Sequence, residues 1–118
     1  MAAMLKIYGI KNCSSMKKAF DLLTELGLAY EFHDYKKQGI DADTVKEWLD
    51  KIGAERVLNK KGTTWRKLTE AEQQAALASE IDLIKALTTH NSLIKRPIIE
   101  TDSAYIVGFY EDEIKALK

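Results

Sequence analysis

A single cysteine, Cys13, leaves this chain with no internal disulfide to form. That excludes a disulfide-stapled secreted scaffold and makes the reducing cytoplasm the expected setting. Charge of either sign is in no excess, because 18 Lys and Arg oppose 18 Asp and Glu. Without a net field, neither nucleic acid nor anionic lipid is an expected partner. No apolar run approaches the ~20 residues that cross a bilayer. The opening Met1-Ala-Ala-Met4-Leu-Lys6 has no basic stretch ahead of a long apolar core, as a signal peptide would. Aromatic residues make up 8% and form no platform for stacking bases. His33 and His90 have no cysteine or acid at ligand spacing, so no metal site is expected.

What remains is ordinary for a globular chain, with 46% hydrophobic and 31% charged residues. The 118 residues suit one domain, 1–118, able to bury a core without a metal or disulfide staple. Leu5-Lys-Ile-Tyr8 alternates and Gly9 breaks it, which predicts a strand. From Ser14 the spacing changes: Met16, Ala19, Phe20, Leu23 and Leu26 mark an amphipathic helix that Gly27 stops. Ala29 to Tyr35 alternates again, predicting a second strand, parallel to the first by a right-handed crossover. Lys36 to Gly39 is a turn, and Asp41 or Asp43 caps a helix bearing Val45, Trp48, Leu49 and Ile52 on one face. Val57 to Trp65 reads as irregular. Thr69-Glu-Ala-Glu72 matches a capping box, and Ser79 opens a helix bearing Ile81, Ile84 and Leu87. Ile94-Lys-Arg-Pro97-Ile-Ile-Glu100 holds a strand that begins immediately after Pro97, the only proline. It pairs back through a turn with Ala104–Val107, and Glu111–Lys118 is a last helix. The order is βαβ, several helices, then ββα.

Cys13 therefore falls between the first strand and the first helix, where loops of an open α/β sheet gather ligands. A helix start offers unpaired N–H groups and the positive end of the dipole, which favour a thiolate. Lys11 adds to this, and Asn12, Ser14 and Ser15 can contribute polar donors. Free cysteines are often small buried hydrophobes. The placement beside polar residues at a helix start favours a reactive thiol instead. Pro97 admits two readings, an edge-strand marker or a cis peptide beside the cysteine.

Ile7-Tyr-Gly-Ile-Lys-Asn-Cys13, Gly62-Thr-Thr-Trp-Arg66 and Ile94-Lys-Arg-Pro97 stand in this order along the chain. Together they resemble the arsenate reductase (ArsC) family, more closely its YffB-type branch, with the Spx regulators among its relatives. The resemblance runs from about Met4 to Lys118. It implies a thioredoxin-like (glutaredoxin-like) α/β fold with a helical insertion over about 40–90, and a cis bond between Arg96 and Pro97. In arsenate-reducing members a cysteine attacks the oxyanion and three arginines hold it. Cys13 matches the nucleophile and Arg96 one arginine, while the other two positions fall on Asn59 and near Gly108. Neither can supply the charge or fork of an arginine. The branch without those arginines implies a glutathione-dependent thiol reductase with no tightly bound cofactor. Glutathione then serves as co-substrate, or a glutaredoxin-like protein as reductant. Lys11, Asn12, Asn59, Arg96 and Pro97 are the expected glutathione- or substrate-binding residues. Met16 stands where a second cysteine would complete a C-x-x-C pair, so an outside thiol must resolve any mixed disulfide. The alternatives are an Spx-like regulator that binds RNA polymerase, or a weak arsenate reductase; a monomer is expected in either case.

Overall fold

The computed structural model describes residues 4–11, 13–102 and 104–118. Two stretches of the chain gather separately. One unit runs to Gln38 and resumes from Arg96 to Lys118, and the other is Gly39–Lys95.

The first unit holds strands β1 (Leu5–Gly9), β2 (Tyr30–Asp34), β3 (Ile98–Glu100) and β4 (Tyr105–Val107), with helices α1 (Ser14–Glu25), α2 (Tyr35–Gln38) and α8 (Glu111–Lys115). The sheet order is β2-β1-β3-β4. β1 runs parallel to β2, from Leu5 opposite Tyr30 to Gly9 opposite Asp34, and antiparallel to β3, with Tyr8 opposite Ile98. This is the thioredoxin-like α/β arrangement expected from the resemblance. Alternation in β1 sends Leu5 and Ile7 into one core with Met16, Ala19, Leu22 and Leu23 of α1 and with Ile99, Ile106 and Ile114. α1 ends as its sequence predicts: Leu26 is the C-cap, and Gly27 follows at φ 74°. The expected turn at 36–39 is instead a single helical turn, started when Asp34 Oδ1 accepts the Lys36 N–H at 3.0 Å.

The second unit contains α3 (Ala42–Lys51), α4 (Ala54–Val57), α5 (Thr63–Lys67), α6 (Glu70–Ala76), α7 (Glu80–Thr89) and a 3-10 turn at Asn91–Leu93. Asp41, not Asp43, caps α3 by accepting the Thr44 N–H at 2.7 Å, and Val45 and Trp48 are buried. The capping box at Thr69 and Glu72 closes in both directions. On α7 the buried pair is Leu83 and Leu87, whereas Ile81 is 79% exposed. Of the three apolar residues the sequence marks there, Leu87 is buried and Ile84 half-buried, while Ile81, two helical steps or about 200° from Leu83, faces outward. The segment expected to be irregular contains α4 and α5, one-turn helices that bury Val57 and Trp65.

β3 begins immediately after Pro97, as the sequence predicts. Ile94, ahead of it, forms a lone bridge with Leu58, flanked by Asn59 N–H to Leu93 O at 2.8 Å and Lys95 N–H to Val57 O at 2.7 Å. Among the described residues, no helix is long and apolar enough to cross a membrane.

Candidate functional site

The pairing pattern brings three chain segments to one end of the sheet. β1 ends at Gly9 and leads to Cys13; parallel β2 ends beside it at Asp34 and continues into Tyr35. Antiparallel β3 begins there, so Arg96 and Pro97 arrive from the opposite chain direction.

Packing fixes where α1 starts. A Cβ on Gly9 would collide with the Sδ and Cε atoms of Met16, whose side chain is fully buried. The close approach lets the helix seat against the end of β1 with Cys13 as its N-cap, in extended conformation at φ −134°. The Cys13 carbonyl accepts the Lys17 N–H at 3.0 Å, and its sulfur is half-buried.

Burial alone pushes the Cys13 thiol up, but the Met16 N–H, the Arg96 guanidinium and the Ser15 N–H together outweigh it and hold the thiol below its ordinary range. The sulfur closes no directed capping hydrogen bond. Large and diffuse, it is stabilised by the field of the helix-start N–H groups more than by one aligned contact. Arg96 donates to both the Cys13 sulfur and the Tyr35 hydroxyl. Burial pulls the Arg96 pKa down, and its two partners more than offset that. Tyr35 is itself fully buried.

On the α1 side a cleft of about 530 Å³ opens next to the sulfur, lined by Lys11, Cys13, Ser14, Lys17, Phe20 and Asp21. Lys17 pairs with Asp21 at 3.1 Å. Phe20 packs on the rings of Phe32 and Tyr30, with centroids 4.9 and 5.5 Å away, giving the cleft an apolar side.

The residues expected at the site therefore separate. Cys13 and Arg96 meet, and Lys11 is exposed on the cleft beside them. The Arg96–Pro97 bond is cis, and the buried Pro97 carbonyl accepts the Gly108 N–H at 2.8 Å. Asn12 lies outside the described residues. Asn59 belongs to the second unit, where its Oδ1 accepts the Lys61 N–H at 3.2 Å and closes its own turn. Gly108 has φ 91°, a conformation that an arginine would adopt only under strain. Trp65 is buried while Arg66 is exposed. Among the described residues, no three His, Cys, Asp or Glu side chains converge as metal ligands.

Tyr35 was absent from the expected set. Its aromatic ring reads as the last residue of an alternating strand, and only the pairing of β2 with β1 places it at the sulfur's end of the sheet. That pairing was itself predictable from the βαβ order, so the signal was there.

The sequence model of the ArsC family matches residues 8–117. A solved structure of a protein named YFFB is 42% identical and superposes with a TM-score of 0.89, over 97% of this chain and 98% of its own. An arsenate reductase (ArsC) related protein from Brucella melitensis is 39% identical, with a TM-score of 0.76 over 98% of this chain and 95% of its own. The global transcriptional regulator Spx of Listeria innocua is 27% identical over 114 residues, covering 95% of this chain and 85% of its own. A family match over nearly the whole chain, with the cysteine at the helix start and the cis Arg96–Pro97 bond both in place, shows that this chain belongs to the ArsC family.

Proposed function

We propose that this chain is a glutathione-dependent thiol reductase of the cytoplasm, working through Cys13 alone. The observation that carries the reading is a half-buried sulfur held below the ordinary thiol range at a helix start, with Arg96 beside it and no second cysteine in the chain. In the first step the Cys13 thiolate attacks a glutathione mixed disulfide. The substrate's S–S bond breaks, a Cys13–glutathione disulfide forms, and the substrate sulfur leaves as a thiolate and takes a proton. A second glutathione, as thiolate, then attacks the glutathione sulfur of that adduct. Glutathione disulfide departs and the Cys13 thiolate is regenerated. One disulfide is reduced and one is made, at the expense of one glutathione thiol.

Arg96 stabilises the Cys13 anion as it departs in the second step, and the exposed Lys11 offers a cation to the carboxylates of glutathione. Arsenate is the poorer fit. Asparagine at 59 and a left-handed glycine at 108 occupy positions where the arsenate-reducing members place arginine, leaving Arg96 as the sole fork. The similarity to Spx along 95% of the chain supports a second reading, a regulator that binds RNA polymerase.

Incubation with oxidised glutathione followed by intact-mass measurement distinguishes these readings. A single adduct on Cys13, absent from Cys13→Ser and removed by reduced glutathione, is the expected result. A protein that takes no adduct yet co-purifies with RNA polymerase would establish the second reading in its place.

A further inference from the structure

The thiol exchange gives Tyr35 no task, yet its fully buried side chain stands at the end of β2 where Gly9 and Asp34 pair. A buried phenol needs a hydrogen-bond partner, and here that partner is the same Arg96 that reaches the sulfur. A guanidinium is a rigid plane carrying five donors in a fixed fork. Securing one edge of the plane therefore aims the other. Arg96 sits immediately ahead of the buried Pro97, so its backbone end is anchored by the start of β3. Its far end reaches the sulfur and the Tyr35 hydroxyl.

We propose that Tyr35 is a positioning residue for the reacting thiol: its buried hydroxyl accepts from Arg96 and holds the guanidinium against the Cys13 sulfur. This rests on the reading of Cys13 as the exchanging thiol. Burial first, then the nearby Cys13 and Asp34 charges, push the Tyr35 phenol up to about 12 against the pull of Arg96. Near neutral pH the group is thus a neutral hydroxyl, able to accept from Arg96 without cancelling its charge. The other charged groups around the sulfur are Lys11, Lys17 and Asp21 on the cleft side and Asp34 next to Tyr35.

A thiolate titration by ultraviolet absorbance, with iodoacetamide alkylation rates alongside it, tests the proposal on four proteins: wild type, Tyr35→Phe, Arg96→Met and the double variant. Tyr35→Phe should raise the Cys13 midpoint and slow alkylation about three- to tenfold below that midpoint, where each pH unit changes the thiolate fraction roughly tenfold. Arg96→Met should do at least as much, and Tyr35→Phe should add nothing on top of it. A Tyr35→Phe curve superimposed on wild type would overturn the proposal, as would an equal extra shift in the Arg96→Met background. If Arg96→Met leaves the thiol unchanged, the pairing of Arg96 with the sulfur falls and Tyr35 with it. Glutathione takes no part in these measurements, so the substrate reading stands or falls separately. Should Tyr35→Phe not fold, nuclear magnetic resonance of the wild type decides. Slowly exchanging, separately resolved Arg96 guanidinium protons support the clamp, and one averaged, fast-exchanging signal refutes it.

Discussion

At the scale of single residues, the site depends on atoms that are missing as much as on those present. Gly9 lacks the Cβ that would strike the buried end of Met16, and that space lets the helix bearing Cys13 seat against β1. Met16 is fully buried in the core shared by the sheet and α1, so its thioether end yields only if that core repacks. Gly9→Ala should therefore cost about 1–3 kcal/mol, the usual range for overpacking a tight core. Urea unfolding measures this directly, and a change below about 0.5 kcal/mol, typical of a surface substitution, would show that the contact is soft. Gly108 makes a related point through its backbone. At φ 91° it donates to the Pro97 carbonyl, so the conformation that fixes the proline loop also discourages an arginine at that position.

At the scale of elements, the first turn of α1 determines which sulfur chemistry the chain can perform. Position 16 lies in that turn, and its N–H group is close enough to Cys13 to stabilise the thiolate. Met16→Cys should convert the single thiol into a C-x-x-C pair. Treated with oxidised glutathione, the variant should lose two hydrogens and retain no adduct, as seen by intact mass. A persistent adduct would mean that the second sulfur points away. Much of this end of the molecule was legible beforehand: β1, α1 and its glycine stop follow from periodicity, and Cys13 was placed at the helix start by that order alone. The helices α4 and α5 were not legible, since one turn is too short to show a period of 3.6. On α7, Leu87 is buried as its spacing suggests, but Ile81 in the first turn is not, and Leu83 takes the inward position. Tyr35 stayed hidden for a different reason. The βαβ order places it at the end of the second strand, but its meeting with Arg96 joins distant parts of the chain, and no local pattern carries that contact.

For the molecule as a whole, the thiol couples protonation to folding. The fold holds the Cys13 thiol below its ordinary value, so the native state favours the anion relative to the unfolded chain. Its contribution to stability is complete above the unfolded thiol value, near ~8.5, and fades as pH falls through the lower folded value. Cys13→Ser should lose that dependence. In calorimetric melts from mildly acidic to mildly alkaline pH, the wild type should gain more stability than the variant, and parallel curves would contradict the lowered thiol. The chain also leaves the sheet unit after Gln38 and re-enters at Arg96, so the 39–95 insertion is flanked by Tyr35 on one side and Arg96 on the other.

Because methionine fills position 16, sulfur at Cys13 can be traded only one for one with a disulfide in solution. Each protein molecule that is capped releases a single thiol, so the capped fraction at equilibrium follows the plain ratio of disulfide to thiol around it. A site that closes its own disulfide releases two thiols, and its balance shifts with the square of the thiol concentration. Diluting the whole pool therefore shifts a dithiol protein and leaves this one where it was: Cys13 reads the ratio of disulfide to thiol and is blind to the size of the pool.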